Sequence, residues 1–156
     1  MGASRNLLQN VYLFKGLSGE ELEVISEAAK VETFAPTDEV FCQGDKATAL
    51  YIIKYGSVRI HQKSSQGDHI EVATLGSGSH FGEMGFVDGE ARSASATAIE
   101  KSDVVVLDYK QVKEVLDKHP TIAVKFYREL AHFLCGRLRI TTNDLSFARE
   151  KNLSHF

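Results

Sequence analysis

From Val31 to Leu107 the chain is a succession of short runs rich in Val, Ile and aromatic residues: "EVFCQ", "ALYIIK", "SVRIHQ", "HIEVATL", "ASATAIE" and "DVVVL". Turn signals separate them, among them "KYGS", "SSQGD" and "GSGS". Such runs suit a pleated, half-buried surface, and the Gly, Ser and Asp clusters between them suit tight reversals. A parallel strand pair would need a crossover of about a dozen residues or more, and no insert in this region has helical length. The strands must therefore run antiparallel, and roughly eight of them at this spacing close on themselves. The expected core is an eight-stranded antiparallel β-roll, a jelly-roll-like barrel, with "SVRIHQKSSQGDHIEVATL" as its clearest hairpin.

Helices flank the roll, which makes the whole α+β. In "LSGEELEVISEAAK", Ser18 and Glu21 form a capping box, with Leu17 and Leu22 as its hydrophobic staple. Leu22, Ile25 and Ala29 follow at helical spacing, and "NLLQNVYLF" reads as a helical lead-in. After Leu107, "YKQVKEVLDKH" places Val112, Val115 and Leu116 on one side and stops at Pro120, which suits the first turn of the next helix. That helix is the longest. Ile122, Phe126 and Phe133 face one way, while Ala123, Tyr127, Leu130, Leu134 and Leu138 spread to another. Two apolar faces need two covers, so a second copy of the chain is expected beside the roll. The divisions are 1–30 for the N-terminal helices, 31–108 for the roll, 109–145 for the C-terminal helices and 146–156 for a polar tail expected to fray.

A chain of 156 residues with 43% hydrophobic and 25% charged residues is ordinary for one globular domain. A net charge of -3 gives no basic surface for nucleic acid, and nothing after the long helix reads as a DNA-binding element. The two cysteines, Cys42 and Cys135, suggest neither disulfide nor zinc and are expected to be buried thiols. No run is apolar enough for a membrane span. "MGASRN" has Asn6 where a myristoylation signal needs Ser or Thr, so the expected location is the cytoplasm.

One passage breaks the strand texture: "HFGEMGFVDGEARSASA", His80 to Ala96, with a carboxylate and a guanidinium among small residues. Bare Gly82 and Gly85 allow close approach to backbone N–H groups, and one helical turn from Met84 would aim those groups at an anion. Arg92 and Ser93 can return over that point across "VDGEA". Guanidinium, hydroxyl and amides together make a phosphate cradle. Glu83 would repel phosphate, so it must accept from a hydroxyl elsewhere on the same ligand.

"FGEMGF…ARSASATA" resembles the phosphate-binding cassette of cyclic nucleotide-binding domains, and "LFKGLSGEELEVISEAAKVETFAPTDEVFCQGDKATALYIIKYGSVRI" extends the resemblance over about residues 10 to 140. The resemblance implies that Glu83 holds the ribose 2'-hydroxyl and that Arg92 pairs with the exocyclic oxygens of the cyclic phosphate. Phe81, Gly82, Met84, Gly85, Ser93 and Ala94 complete the cassette. Val72 and Ala73 fall where the family packs base or sugar. The lid over the base is implied to come from the last helix, with Arg137, Leu138, Thr141 and Thr142 as candidates. Ser93 in place of Thr leans towards cyclic AMP over cyclic GMP. Two departures stand out: Ala91 replaces a common Pro, and Asp38 replaces a common turn Gly.

Plainer explanations compete. Arg92 and Glu83 are also what a structural ion pair needs, and Gly76-Ser77-Gly78 is a turn because no helix follows for a dinucleotide fingerprint. A metal at His80 and Glu83 lacks the paired His-x-His of a cupin-like enzyme. No nucleophile neighbours a base, so no catalytic residues, cofactor or metal are expected. The expected function is a small sensor whose C-terminal helices move when a cyclic nucleotide binds and so signal to a downstream protein. The alternatives are a regulatory fragment of a larger transcription factor, kinase or channel, and a ligand-free scaffold.

Overall fold

The computed structural model describes residues 8–153. The "MGASRN" motif and the last three residues of the tail lie outside them. The described chain begins with a buried knot of Leu8, Val11, Leu13 and Phe14 around a short 3-10 turn, Tyr12–Phe14. Helix α1, Gly19–Ser26, starts on the capping box: Ser18 N–H donates to Glu21 Oε1 at 2.9 Å, and Glu21 N–H to Ser18 Oγ at 3.2 Å. Leu22 and Ile25 are its buried apolar residues, and Ser26 is buried beside them. Ala29 does not extend that stripe. It opens strand β1, Ala29–Phe34, opposite Leu107 in the last strand of the roll. Pairing with a distant strand here outweighs the local helix preference of an Ala-Lys sequence.

The roll follows as β2 (Glu39–Phe41), β3 (Ala49–Tyr55), β4 (Ser57–Lys63), β5 (His69–Gly76), β6 (His80–Phe81), β7 (Ser95–Ala98) and β8 (Ser102–Asp108). It forms two four-stranded antiparallel sheets, ordered β1-β8-β3-β6 and β2-β7-β4-β5. A single turn of helix, α2 (Met84–Asp88), interrupts it between β6 and β7.

Strands β3 and β8 of the first sheet are buried on both faces, while β1 at its edge is largely exposed. From β3, Ala49, Tyr51 and Ile53 join the roll interior, while Leu50 and Ile52 join the helical core. On β8, Val104 and Val106 face inward, and Val105 and Leu107 face the helices. Side chains alternate along a strand, so a wall with two dry faces must read as an unbroken apolar run. "ALYII" and "VVVL" are that wall. Each fully buried Val, Leu or Ile contributes roughly 1.5–3 kcal/mol.

Helix α3, Tyr109–Lys118, is capped by Asp108, whose Oδ1 accepts from Lys110 N–H at 3.0 Å and Gln111 N–H at 3.3 Å. Helix α4, Pro120–Leu153, is 34 residues long. Its buried stripe is Ile122, Phe126 and Leu130, so Leu130 belongs to the face that covers the core and not to the second face. Phe126 stacks on Phe14 at 5.8 Å between ring centroids. Residues 146–153 continue the helix where a frayed tail was expected; no Pro or Gly follows Gly136 within it. The cysteines also differ from expectation. Cys42 is exposed in the turn after β2, and Cys135 is exposed on the flank of α4 turned away from the core.

Candidate functional site

The corner between β6 and α2 is built by tight contacts. Gly82 has φ of +82°, and a Cβ there would lie 2.9 Å from Arg92 Nη1 and 3.2 Å from the Ala49 carbonyl oxygen. Both the conformation and the space demand glycine. At Gly85 a Cβ would meet the Ala47 Cβ at 2.4 Å, so α2 lies directly on the turn before β3.

Gly89 ends α2 in a left-handed conformation, and the chain returns through Arg92. The Arg92 backbone is held from both sides: its N–H donates to Asp45 O and its carbonyl accepts from Gly44 N–H, each at 2.8 Å. These bonds fix the return directly after Ala91, where the sequence resemblance implies a proline.

The Arg92 side chain is buried at 7% exposure with its guanidinium 4.0 Å above the Phe41 ring. Nη1 donates to Gly82 O at 3.0 Å and to Tyr109 Oη at 3.1 Å, and Nη2 to Ala49 O at 2.7 Å. A guanidinium has five N–H donors, so the Nε–H and one Nη2–H remain. Nε is buried with no protein partner. Tyr109, the first residue of α3, also donates its hydroxyl to Gly82 O, and burial pushes its phenol up, which keeps it a neutral donor.

Glu83 is buried at 8% exposure beside the same cavity. No ion pair joins it to Arg92 among the described residues; its charged-group neighbour is His80, with Nδ1 3.8 Å from Oε2. The two charges are thus buried side by side without neutralising one another. That argues against the structural ion pair and for an external group that meets both.

The cavity they share has a volume of about 150 Å3. The segments Phe81 to Gly85 and Arg92 to Ala94 all line it, and Arg137 reaches it from α4. Val72 and Ala73 do not. The register slips between Ile60, opposite Ala73, and His61, opposite Glu71, which leaves Val72 as a bulged residue, 51% exposed. Ile60, Leu75 and Phe41 supply the apolar wall instead. Leu138, Thr141 and Thr142 also stand away from the cavity, and Leu138 and Thr142 line a separate groove along α4. Sequence reasoning missed Tyr109, Phe41, Ile60 and Leu75. Alternation along "SVRIHQ" puts Ile60 on the same face as buried Val58 and was the available signal for it. Among the described residues, no three His, Cys, Asp or Glu side chains converge as a metal site, and no helix is long and apolar enough to cross a membrane.

A β-roll carrying a cradle of this kind, with a buried arginine and a buried glutamate on one small cavity, defines a nucleotide-reading class of domain. The family description "Cyclic nucleotide-binding domain" matches residues 31–119, and the chain belongs to that family. It is 32% identical over 143 residues to the Cyclic AMP receptor protein of Thermus thermophilus, covering 90% of this chain and 64% of that protein. Cyclic GMP-binding protein C of Dictyostelium discoideum is 30% identical over 136 residues, covering 87% of this chain and 5% of its own length. The crystal structure of Thermus thermophilus Catabolite Activator Protein superposes with a TM-score of 0.78 at 32% identity, over 87% of this chain and 62% of that one. This chain therefore spans less than two thirds of each of these proteins.

Proposed function

We propose that this protein is a sensor of cyclic AMP, with cyclic GMP the weaker ligand, and that it binds the nucleotide without transforming it. The observation that carries this reading is the unneutralised pair: Arg92 and Glu83, both buried on one cavity, with the Arg92 Nε–H unpartnered. The cyclic phosphate takes the free guanidinium donors and the orphan first-turn amides of α2. The ribose 2'-hydroxyl donates to Glu83, and the base lies against Ile60 and Leu75 with Arg137 above it. A threonine hydroxyl after Arg92 would favour guanine; the shorter Ser93 sits exposed at the cavity and favours adenine.

Binding moves the C-terminal helices through Tyr109, which joins the first residue of α3 to the carbonyl that Arg92 also uses. The moved helices present a changed surface to a downstream protein in the cytoplasm. Two copies of the chain associate through the exposed length of α4.

Isothermal calorimetry of the 156-residue chain with cyclic AMP and cyclic GMP tests the reading. Micromolar or tighter binding, tighter for cyclic AMP, is the expected result. Arg92→Ala and Glu83→Ala should each cost about 2–4 kcal/mol of binding. Silence with both nucleotides, or full affinity in Arg92→Ala, refutes it.

A further inference from the structure

His80 is a polar residue in an apolar seam. It precedes Phe81 on β6, is only 7% exposed, and packs its ring on Phe133 of α4 with centroids 4.3 Å apart. Neither ring nitrogen has a hydrogen-bond partner. A phenylalanine would fill the same space without leaving two buried nitrogens unsatisfied, so the imidazole asks for a partner.

Among the described residues its one acidic neighbour within 4 Å is Glu83, whose Oε2 is 3.8 Å from Nδ1. That is beyond a hydrogen bond by less than 1 Å. Glu83 can take that donor: its carboxylate lies on the cavity and forms no hydrogen bond among the described residues. Arg137 of α4 shares both the nucleotide cavity and the adjoining cleft with His80, and Tyr12 of the N-terminal turn shares that cleft. Neither bonds to the ring nitrogens.

We infer that His80 is the positioning residue for ribose recognition. Its Nδ1–H donates to Glu83 Oε2 in the complex and aims the other carboxylate oxygen at the 2'-hydroxyl. This rests on the reading that Glu83 accepts from that hydroxyl. The ring's seat on Phe133 then makes the aim of Glu83 depend on where α4 lies, so sugar recognition and helix position are set by one side chain.

The test compares cyclic AMP with 2'-deoxy cyclic AMP by calorimetry on the full chain. His80→Phe keeps the ring against Phe133 and removes the donor. It should weaken cyclic AMP about tenfold and change 2'-deoxy cyclic AMP by no more than about twofold, so that discrimination for the 2'-hydroxyl collapses. His80→Asn places an amide N–H near the Nδ1 position and should recover most of the discrimination. Equal losses for both ligands, or unchanged discrimination in His80→Phe, overturn the inference and leave the sensor reading intact. Failure of the unmodified protein to bind cyclic AMP overturns the sensor reading itself, before any variant is made. If His80→Phe does not fold, a long-range proton–nitrogen NMR spectrum of the unmodified complex decides. An Nδ1 carrying its proton supports the inference; a bare Nδ1 overturns it.

Discussion

Thr37 adopts φ of +73°, a left-handed conformation that a β-branched residue rarely takes. The turn it sits in is held by Asp38, whose backbone N–H donates to Ala35 O at 3.0 Å and whose carboxylate accepts from Ala35 N–H at 2.9 Å. Asp38 completes the turn with its side chain, and the left-handed conformation that a turn glycine would suit falls on Thr37, one residue before the position expected from the sequence. Thr37 is exposed. Thr37→Gly should therefore raise stability by about 1 kcal/mol in urea unfolding and leave nucleotide affinity unchanged. The site's two charges were legible because glycines and a fixed spacing surround them in one short stretch. Tyr109 was not, since it reaches Gly82 from 27 residues away and no local pattern marks a residue for that contact.

At the scale of elements, α4 is the unusual one. Every side chain from Cys135 to Lys151 is exposed, a length of roughly 25 Å at 1.5 Å per residue. Leu138 and Leu145, and Ile140 and Phe147, repeat at seven-residue spacing along it and are all more than half exposed. Apolar residues repeated at this spacing are the seam of a paired helix, which fits the proposed association of two copies. Leu145→Asp should convert the proposed dimer to a monomer by light scattering, with nucleotide affinity per chain retained. Of the second face read from apolar periodicity, Tyr127 and Leu138 are exposed, but Leu130 is buried and Ala123 and Leu134 pack against the core; Leu130 lies four residues after Phe126 and three after Tyr127, a spacing that fits either face. At the other end, Lys125 of α4 donates to Glu21 of α1 at 2.7 Å, and this bond, with that from Ser18, holds the Glu21 carboxyl below its usual range. The unfolded chain takes that proton first as pH falls. The docking of α1 on α4 is therefore fully stabilising above the ordinary carboxylate value and is lost as pH drops below it. Melting temperatures from pH 7 to about pH 3.5 should fall less steeply in Glu21→Gln than in the unmodified protein.

At the scale of the molecule, the eight strands and their antiparallel sense follow from the short apolar runs and the lack of crossovers. Which strand neighbours which does not, because β1 pairs with β8 and β2 with β7 across nearly the whole roll. The boundary between α1 and β1 was hidden for the same reason: Ala29 becomes strand only because Leu107 is there to receive it. The two-faced wall of β3 and β8 has one more consequence. Ile53 is felt inside the chamber and Ile52 beneath the helices, yet a single peptide unit divides them. Substitutions at neighbouring positions of one strand can thus reshape the roll interior and the helical core independently of each other.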